Sequence, residues 1–393
     1  DLPTRAAIMT GKAPARTHLT DFISGTPFPY ARLLQPKWRR SLPLKEKTLA
    51  ERLTEHGYAT ALFGKWHLAK SYTPPLSVPL GPDRQGFGET FITHKPTDDS
   101  DPEADAHGVK AITDRALDFI DRHHDRPFFL LLAPNTIHSP IMAPASLVEK
   151  HRKRPGSDLP HNHPTIAAMM EQLDQAIGVV LAKIENLGLS ETTLVIFASD
   201  NGGSLRDTTQ APLRGGKAQL YEGGLRVPLI MRWSGTIPAA RTTEFPTTSA
   251  DLFPTILEVT GTPVPVEEPR DGISLLNTMR GQPSSPARTL FWHYPHYHNA
   301  GVHGPASALR QGDWKLIHYY EAELTGQGTA DELFNLRDDP GETINLADVQ
   351  PDRLRSFRSE LTALLTEAGA QLPSVNDRYD PTRTLQSTAD AEP

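Results

Sequence analysis

The sequence predicts an α/β protein built on a large, mostly parallel sheet sandwiched by helices, with a smaller C-terminal α+β subdomain carrying an antiparallel sheet. Three observations carry that prediction. The continuous apolar runs Pro127–Ala133 (PFFLLLA) and Thr193–Ala198 (TLVIFA) have the composition of strands buried on both faces. Between them, apolar residues recur at helical spacing at Ile166, Met169, Met170, Leu173, Ile177, Val180, Leu181 and Ile184. From about Leu290 the pattern turns to alternating, aromatic-rich segments around Gly312-Asp313, as in a hairpin. The expected organisation is an α/β domain over 1–289, a subdomain over 290–370 and a polar, mostly unstructured tail over 371–393.

Taken in order, Thr4–Thr10 (TRAAIMT) is an expected helix, with Pro3 suited to its first turn and Gly11 closing it. Lys12–Pro43 has little periodicity and is expected to be an ordered loop. Leu44–His56 is an amphipathic helix ended by Gly57, and Tyr58–Phe63 a short strand running into Gly64-Lys65-Trp66-His67. Leu68–Asp105, rich in Pro, Gly and Asp, reads as an excursion before a helix over Val109–His123. Pro127–Ala133 follows, then Asn135–Pro140 (NTIHSP), a polar basic loop over His151–Pro164 and the long helix over Thr165–Asn186. Val227–Trp233 is a further strand, and Ser249–Thr260 a helix with Gly261 behind it. Beyond 290, Leu290–Tyr297, Ala306–Arg310, Trp314–Tyr320 and Glu332–Leu336 read as strands and Pro351–Ala368 as a closing helix.

Composition narrows the function. A chain of 393 residues and 43.3 kDa has room for a large core. A net charge of −7 and a pI near 6.2 argue against nucleic acid or an anionic membrane surface as the main partner. There are no cysteines, so disulfides and thiolate metal sites are excluded. No apolar run is long enough to span a membrane.

The informative clusters stand where strands end. Asp200-Asn201-Gly202-Gly203 follows the run ending at Ala198; its first two residues are hard oxygen donors, and the glycines allow a sharp turn, which is half of a cation site. Lys217 sits in a Gly-Gly-Lys turn. Lys65 and His67 follow another strand, His138 a third, and Arg5 lies at a helix N-terminus, where negative charge is favoured. Each cluster alone also reads as an ordinary turn, a surface loop or a packed histidine. Parallel strands, however, bring their C-terminal ends to one sheet edge, and together these residues make a cationic pocket for a tetrahedral oxyanion.

Leu2–Lys12 (LPTRAAIMTGK), Gly57–His67 (GYATALFGKWH), Ser199–Gly203 (SDNGG), Leu213–Lys217 (LRGGK) and Tyr221–Pro228 (YEGGLRVP) resemble the signatures of the formylglycine-dependent sulfatases, nearest the arylsulfatase branch of the alkaline-phosphatase-like superfamily. Arg310–Lys315 and Leu333–Leu346 resemble its C-terminal subdomain, so the likeness spans essentially the whole chain. It implies a sulfuric ester hydrolase in which Asp200 and Asn201 ligate Ca2+, Arg5 holds the nucleophile's surroundings, and Lys65 and Lys217 neutralise sulfate oxygens. His67 would assist breakdown of the sulfated intermediate, and His138 would stand at the leaving oxygen. It further implies a periplasmic or secreted enzyme acting on a sulfated carbohydrate.

Two departures bear on that expectation. The family's nucleophile, a formylglycine made from Cys or Ser, belongs at position 1, where this chain has Asp1, and a carboxylate cannot form the aldehyde hydrate. The family's paired aspartates, its other metal ligands, come from a strand that would precede residue 1. An N-terminally truncated fragment with an altered first residue, a degenerate sulfatase that binds without turnover, and Asp1 as a substitute metal ligand are the open readings; the other motifs stand intact, which favours the first. For the substrate, His296, His298 and Asn299, with His303 nearby, could bond sugar hydroxyls while Trp292 or Tyr297 packs on a sugar face; aromatic packing at the domain junction is the alternative. Nearness to polysaccharide-degrading sulfatases suggests an exo-acting enzyme on galactose or N-acetylgalactosamine 4-sulfate. A phosphoester or phosphonate hydrolase on the same scaffold, and a non-catalytic binder of sulfated glycans, are the competing functions.

Overall fold

The computed structural model describes residues 2–23, 25–69, 80–159, 162–264, 266, 268–283, 287–298 and 304–384. Asp1, Asn299 and His303 lie outside the described residues. Helix α1 (Leu2–Thr10) buries Leu2, Ala6 and Met9 against α2 (Leu49–Glu55), α6 (Leu252–Val259) and the residues after the first strand, Trp66 and Leu68. The apolar spacing of α1 thus anchors its first turn, with Arg5, against the main core. Helix α2 begins later than its sequence pattern suggests, because Thr48 forms a capping box with Glu51 and so fixes the start there.

Strands β1 (Ala59–Gly64), β2 (Glu89–Ile92) and β3 (Phe128–Ala133) form a parallel sheet in the order β2-β1-β3, with Gly64 opposite both Ile92 and Ala133. Helix α3 (Val109–His123) packs Ile112, Ala116 and Phe119 on Ala61 and Phe63. Helix α4 (Ala145–Arg152) runs into the stretch expected to be a polar loop from His151, and packs on α5 (Pro164–Asn186) with His151 Nε2 2.7 Å from Glu171. Strand β4 (Val195–Ala198), expected to be buried on both faces, instead pairs antiparallel with β5 (Leu229–Arg232) in a separate ribbon. Phe197 is 37% and Ile230 62% exposed, because a two-stranded ribbon cannot cover both of its own faces.

The C-terminal subdomain is an antiparallel sheet of β6 (Thr289–Tyr294), β7 (Ala306–Gln311), β8 (Trp314–Tyr319) and β9 (Glu332–Asn335), in the order β9-β8-β7-β6, with Gly312 at positive φ in the β7–β8 turn. Helix α7 (Pro351–Glu367) packs Phe357, Leu361 and Leu365 on Leu309, Leu316 and Leu333. Within the described part of the tail expected to be mostly unstructured, the chain is held by regular pairing. Ser374 and Val375 pair with Leu34 and Leu33, and the buried Asn376 donates through Nδ2 to Pro29 O and Ala31 O. Backbone pairing does the ordering here, and a polar composition conceals it. No described helix is long and apolar enough to cross a membrane.

Asp21, 2% exposed, lies between the two units: its Oδ1 accepts from Phe22 N–H at 2.9 Å and from Tyr294 OH at 3.0 Å, while Oδ2 is buried without a hydrogen-bond partner. Burial pushes its pKa from 3.8 up to about 7, against the two hydrogen bonds and the charge of Arg40. The folded state therefore binds more protons than the unfolded state between these two values, so stability falls as pH rises through that window and levels off above it. Ionised Asp21 is expected to cost on the order of 4 kcal/mol. Asp21→Asn should flatten this dependence and melt higher than the parent at pH about 8 but close to it near pH 4; parallel melting curves across pH would refute the assignment.

Candidate active site

The site is assembled at the C-terminal edge of the parallel sheet, and close backbone approach sets its geometry. Gly64 ends β1 at φ +117, and a Cβ there would fall 2.1 Å from Ala133 O. Lys65 N–H then donates to Ala133 O at 2.7 Å, and Thr93 N–H to Gly64 O at 3.2 Å, so the ends of all three strands are tied. From β3 the chain continues through the buried Asn135, which bonds Thr93 Oγ1 at 3.0 Å and accepts from His138 N–H at 2.8 Å. From α1, Arg5 donates to Lys65 O at 2.9 Å and to Asp200 Oδ2 at 3.4 Å, and the Thr4 hydroxyl donates to Asp200 O at 2.6 Å. Arg5, Lys65 and Asp200, from well-separated stretches of sequence, therefore meet.

Lys217 is brought to the same place by interlocked glycines. Gly202 N–H donates to Gly224 O at 3.1 Å and Lys217 N–H to Gly203 O at 2.9 Å. A Cβ on Gly202 would lie 1.9 Å from Gly223 O, one on Gly216 2.5 Å from Gly203 O, and one on Gly223 2.2 Å from Gly215 O. These glycines thus serve close contact between three loops, more than the turns the sequence suggests.

The crowding shapes the electrostatics. Burial lowers Lys65 to about 8, helped by Arg5 and by Lys217 and Lys95, with Asp200 opposing. Burial also lowers Lys217, against Asp200. His67, 6% exposed and with Nε2 3.3 Å from Ile23 O, is held down to about 3 by burial and then by Lys65. His138 is lowered by burial and by Lys217, Lys65 and Lys95. Asp200 is driven below the carboxylate range: burial opposes its ionisation, and the surrounding cations, Arg5 and Lys65 among them, outweigh it. The pocket is a set of cations that repel one another, which an incoming anion would relieve. The His138 ring places Nδ1 2.7 Å from Ser139 O; donation there leaves Nε2 as the nitrogen to exchange a proton with a bound group.

The donor chemistry of Asp200 and Asn201 suits a hard cation such as Ca2+. They supply only part of the six to eight oxygens such an ion takes, and among the described residues no group of three or more His, Cys, Asp or Glu side chains is placed to hold a metal.

The substrate histidines divide. Burial, and after it the charge of Lys217, lowers His298 to about 4, and its ring meets Phe22 edge-on at 5.3 Å. His296 corrects the expectation: it is 0% exposed, with Nε2 2.8 Å from Thr20 Oγ1 and Nδ1 3.1 Å from Gln35 Oε1, so it braces the loop and does not face a substrate. Asn299 and the nucleophile position, Asp1, fall outside the described residues. Lys95, which sequence reasoning missed, bears on both Lys65 and His138. It follows β2, a strand concealed in the stretch read as an excursion; the alternation in ETFI before a charged run was the available signal.

The Sulfatase family profile matches residues 2–262. The chain belongs to the sulfatase family. A second profile, described as N-sulphoglucosamine sulphohydrolase, C-terminal, matches residues 216–371 of this sulfatase. Arylsulfatase A of Homo sapiens is 30% identical over 95% of this chain and 81% of its own length. N-acetylgalactosamine-6-sulfatase of Mus musculus is 29% identical over 71% of this chain and 56% of its own. The crystal structure of Ps i-CgsB in complex with k-i-k-neocarrahexaose superposes with a TM-score of 0.73 at 22% identity, covering 93% of this chain and 82% of that one. The structure of BT4656 in complex with D-glucosamine-2-N,6-O-disulfate does so with a TM-score of 0.65 at 20% identity, covering 93% and 87%. The sulfatase is thus a sulfuric ester hydrolase by family, on a fold that joins a parallel α/β sheet to an antiparallel subdomain.

Proposed function

We propose that this sulfatase releases sulfate from a sulfated carbohydrate, with Lys65 and Lys217 on the sulfate oxygens and His138 proton-linked to the leaving oxygen. The observation that carries the reading is the convergence of Arg5, Lys65, Lys217 and His138, whose charges repel one another, around the single carboxylate of Asp200. A sulfuryl group spreads negative charge over its oxygens as the ester bond breaks, and fixed cations in a desolvated cup stabilise that charge without reorganising. Bound sulfate would also raise the depressed His138, so the ring gains its proton when a leaving group needs one. Arg5 orients the residues around position 1, and His67, buried beside Lys65, would carry a proton on that side of the bound sulfate. Asp200 and Asn201 would hold Ca2+, which when bound supplies a further positive charge to the sulfate. Formylglycine cannot be formed from the aspartate at position 1.

For the substrate we propose galactose or N-acetylgalactosamine 4-sulfate at a chain end, read by His298, with Asn299 a proposed contact beside it, and for the location the periplasm or the exterior. The sugar relatives and the carbohydrate complexes among the similar structures support the substrate class. The test is release of sulfate and phosphate from aryl esters with the same leaving group, alongside binding of the sulfated monosaccharides. Faster sulfate release is expected. Faster phosphate release would favour phosphoester or phosphonate hydrolysis. Asp1 favours the non-catalytic binder as second reading, and tight sugar binding with no release of either anion would establish it.

A further inference from the structure

Lys315 is 0% exposed, in the middle of the C-terminal sheet, and its Nζ lies 3.0 Å from Glu222 Oε1 and 2.8 Å from Glu342 Oε1. A lysine is almost never fully buried unless paired, and here the pairing crosses from the subdomain into the α/β body. Glu342, also 0% exposed and at φ 52, grips the same residue a second time: its Oε2 accepts from Glu222 N–H at 2.7 Å, while its carbonyl accepts from Arg214 at 2.8 Å. Arg310 stands 3.7 Å from Glu222 Oε2, so two cations face two carboxylates.

Glu222 is the first residue of the helical turn Glu222–Leu225, whose Gly223 and Gly224 are the contact points of the glycine interlock. Gly223 N–H donates to Arg214 O at 2.8 Å, and a Cβ on Gly224 would fall 2.1 Å from Gln219 O. Gln219 Oε1 in turn accepts from Gly216 N–H at 3.1 Å, next to Lys217. With backbones in contact on every side, a displacement of Glu222 passes to Lys217 and to Gly202 beside Asn201 with no side chain to absorb it.

We infer that Lys315 is a positioning residue of the active site: by holding Glu222 and Glu342 it sets where Lys217 stands relative to Asp200 and Asn201. The inference rests on Lys217 being an anion-binding residue, as proposed above. It gives the antiparallel subdomain a part in preorganising the sulfate site, in addition to any contact with substrate. The ion pairs do this better than an apolar plug would, because buried charges tolerate only a narrow range of geometries.

The test compares the parent with Lys315→Met and with the charge-balanced double variant Lys315→Met/Glu342→Gln, which removes one charge of each sign and so guards against failure to fold. Amide hydrogen exchange and calorimetric titration with inorganic sulfate are read at a temperature well below each melting point. Exchange over 213–224 is expected to quicken by about tenfold or more, with 128–133 unchanged, and sulfate affinity to fall by roughly tenfold. Unchanged exchange over 213–224, or unchanged sulfate affinity in the double variant with only a lower melting temperature, would show Lys315 to be structural cement and overturn the inference. A parent that binds no sulfate would instead refute the functional reading, and the exchange result would still decide whether Lys315 holds the loop.

Discussion

Lys65→Met and Lys217→Met are each expected to lower sulfate-ester hydrolysis by on the order of a hundred- to a thousandfold, the loss seen when one preorganised donor to a developing anion is removed. Methionine keeps the unbranched stem and removes only the charge. The two lysines repel each other and His138, so deleting one raises the protonation of the others, but it leaves part of the sulfate charge without a partner in a desolvated site. A pH signature separates this from misfolding. Because the free pocket holds Lys65 at about 8, sulfate affinity is full below that pH and weakens above it as the cation is lost. Lys65→Met should be weak throughout and lack that inflection. Hydrolysis and sulfate affinity close to the parent's in either variant would remove the lysine concerned from the catalytic cluster.

Gly202→Ala is expected to be the most damaging substitution of a single methyl. The added carbon would sit 1.9 Å from Gly223 O, with Gly224 Cα at 2.9 Å, so backbone must move on both sides. The cost is expected to be on the order of 4 kcal/mol, at the exceptional end for point changes, with sulfate binding lost even where the variant folds. Gly178→Ala is the control: it lies in helix α5 with nothing within 4 Å of the new Cβ, and should stabilise by about 1 kcal/mol. Urea unfolding of the two variants compares them directly, and a Gly202→Ala protein as stable as the parent would mean that the three loops are not locked together.

The convergence of the site residues was in part legible in the sequence because several of them are punctuated by strand ends. Lys65 and His138 follow strands of the parallel sheet, whose ends converge by topology, whereas Asp200 follows a strand of the separate antiparallel ribbon and is brought in by Thr4 and Arg5. The interlock was less legible. Asp200-Asn201-Gly202-Gly203 announces a turn, but nothing local says that Gly202 meets Gly223, since that contact is set by two other loops. His296 was misjudged because a histidine among aromatics looks the same in sequence whether it faces solvent or Thr20 and Gln35. Lys315 sits in an ordinary alternating strand, and only its partners, distant in the chain, distinguish it. Strands β1 and β3 and the hairpin at Gly312 followed from patterning, whereas β2 lay hidden in the stretch read as an excursion, and the separation of β4 and β5 into their own ribbon is a property of pairing that no single strand encodes.

The clasp between the residues after α7 and the loop before α2 has a mechanical consequence. Arg383 lies over the Tyr30 ring at 3.5 Å, Arg32 over Tyr379 at 4.7 Å, and Asp380 N–H donates to Tyr30 O, so both sides of the clasp grip each other repeatedly. The polypeptide is in effect buckled like a belt, and force or heat that peels the antiparallel subdomain away must first undo a fastening on the opposite half. That buckle is expected to couple the unfolding of the two halves, although each has an apolar interior of its own.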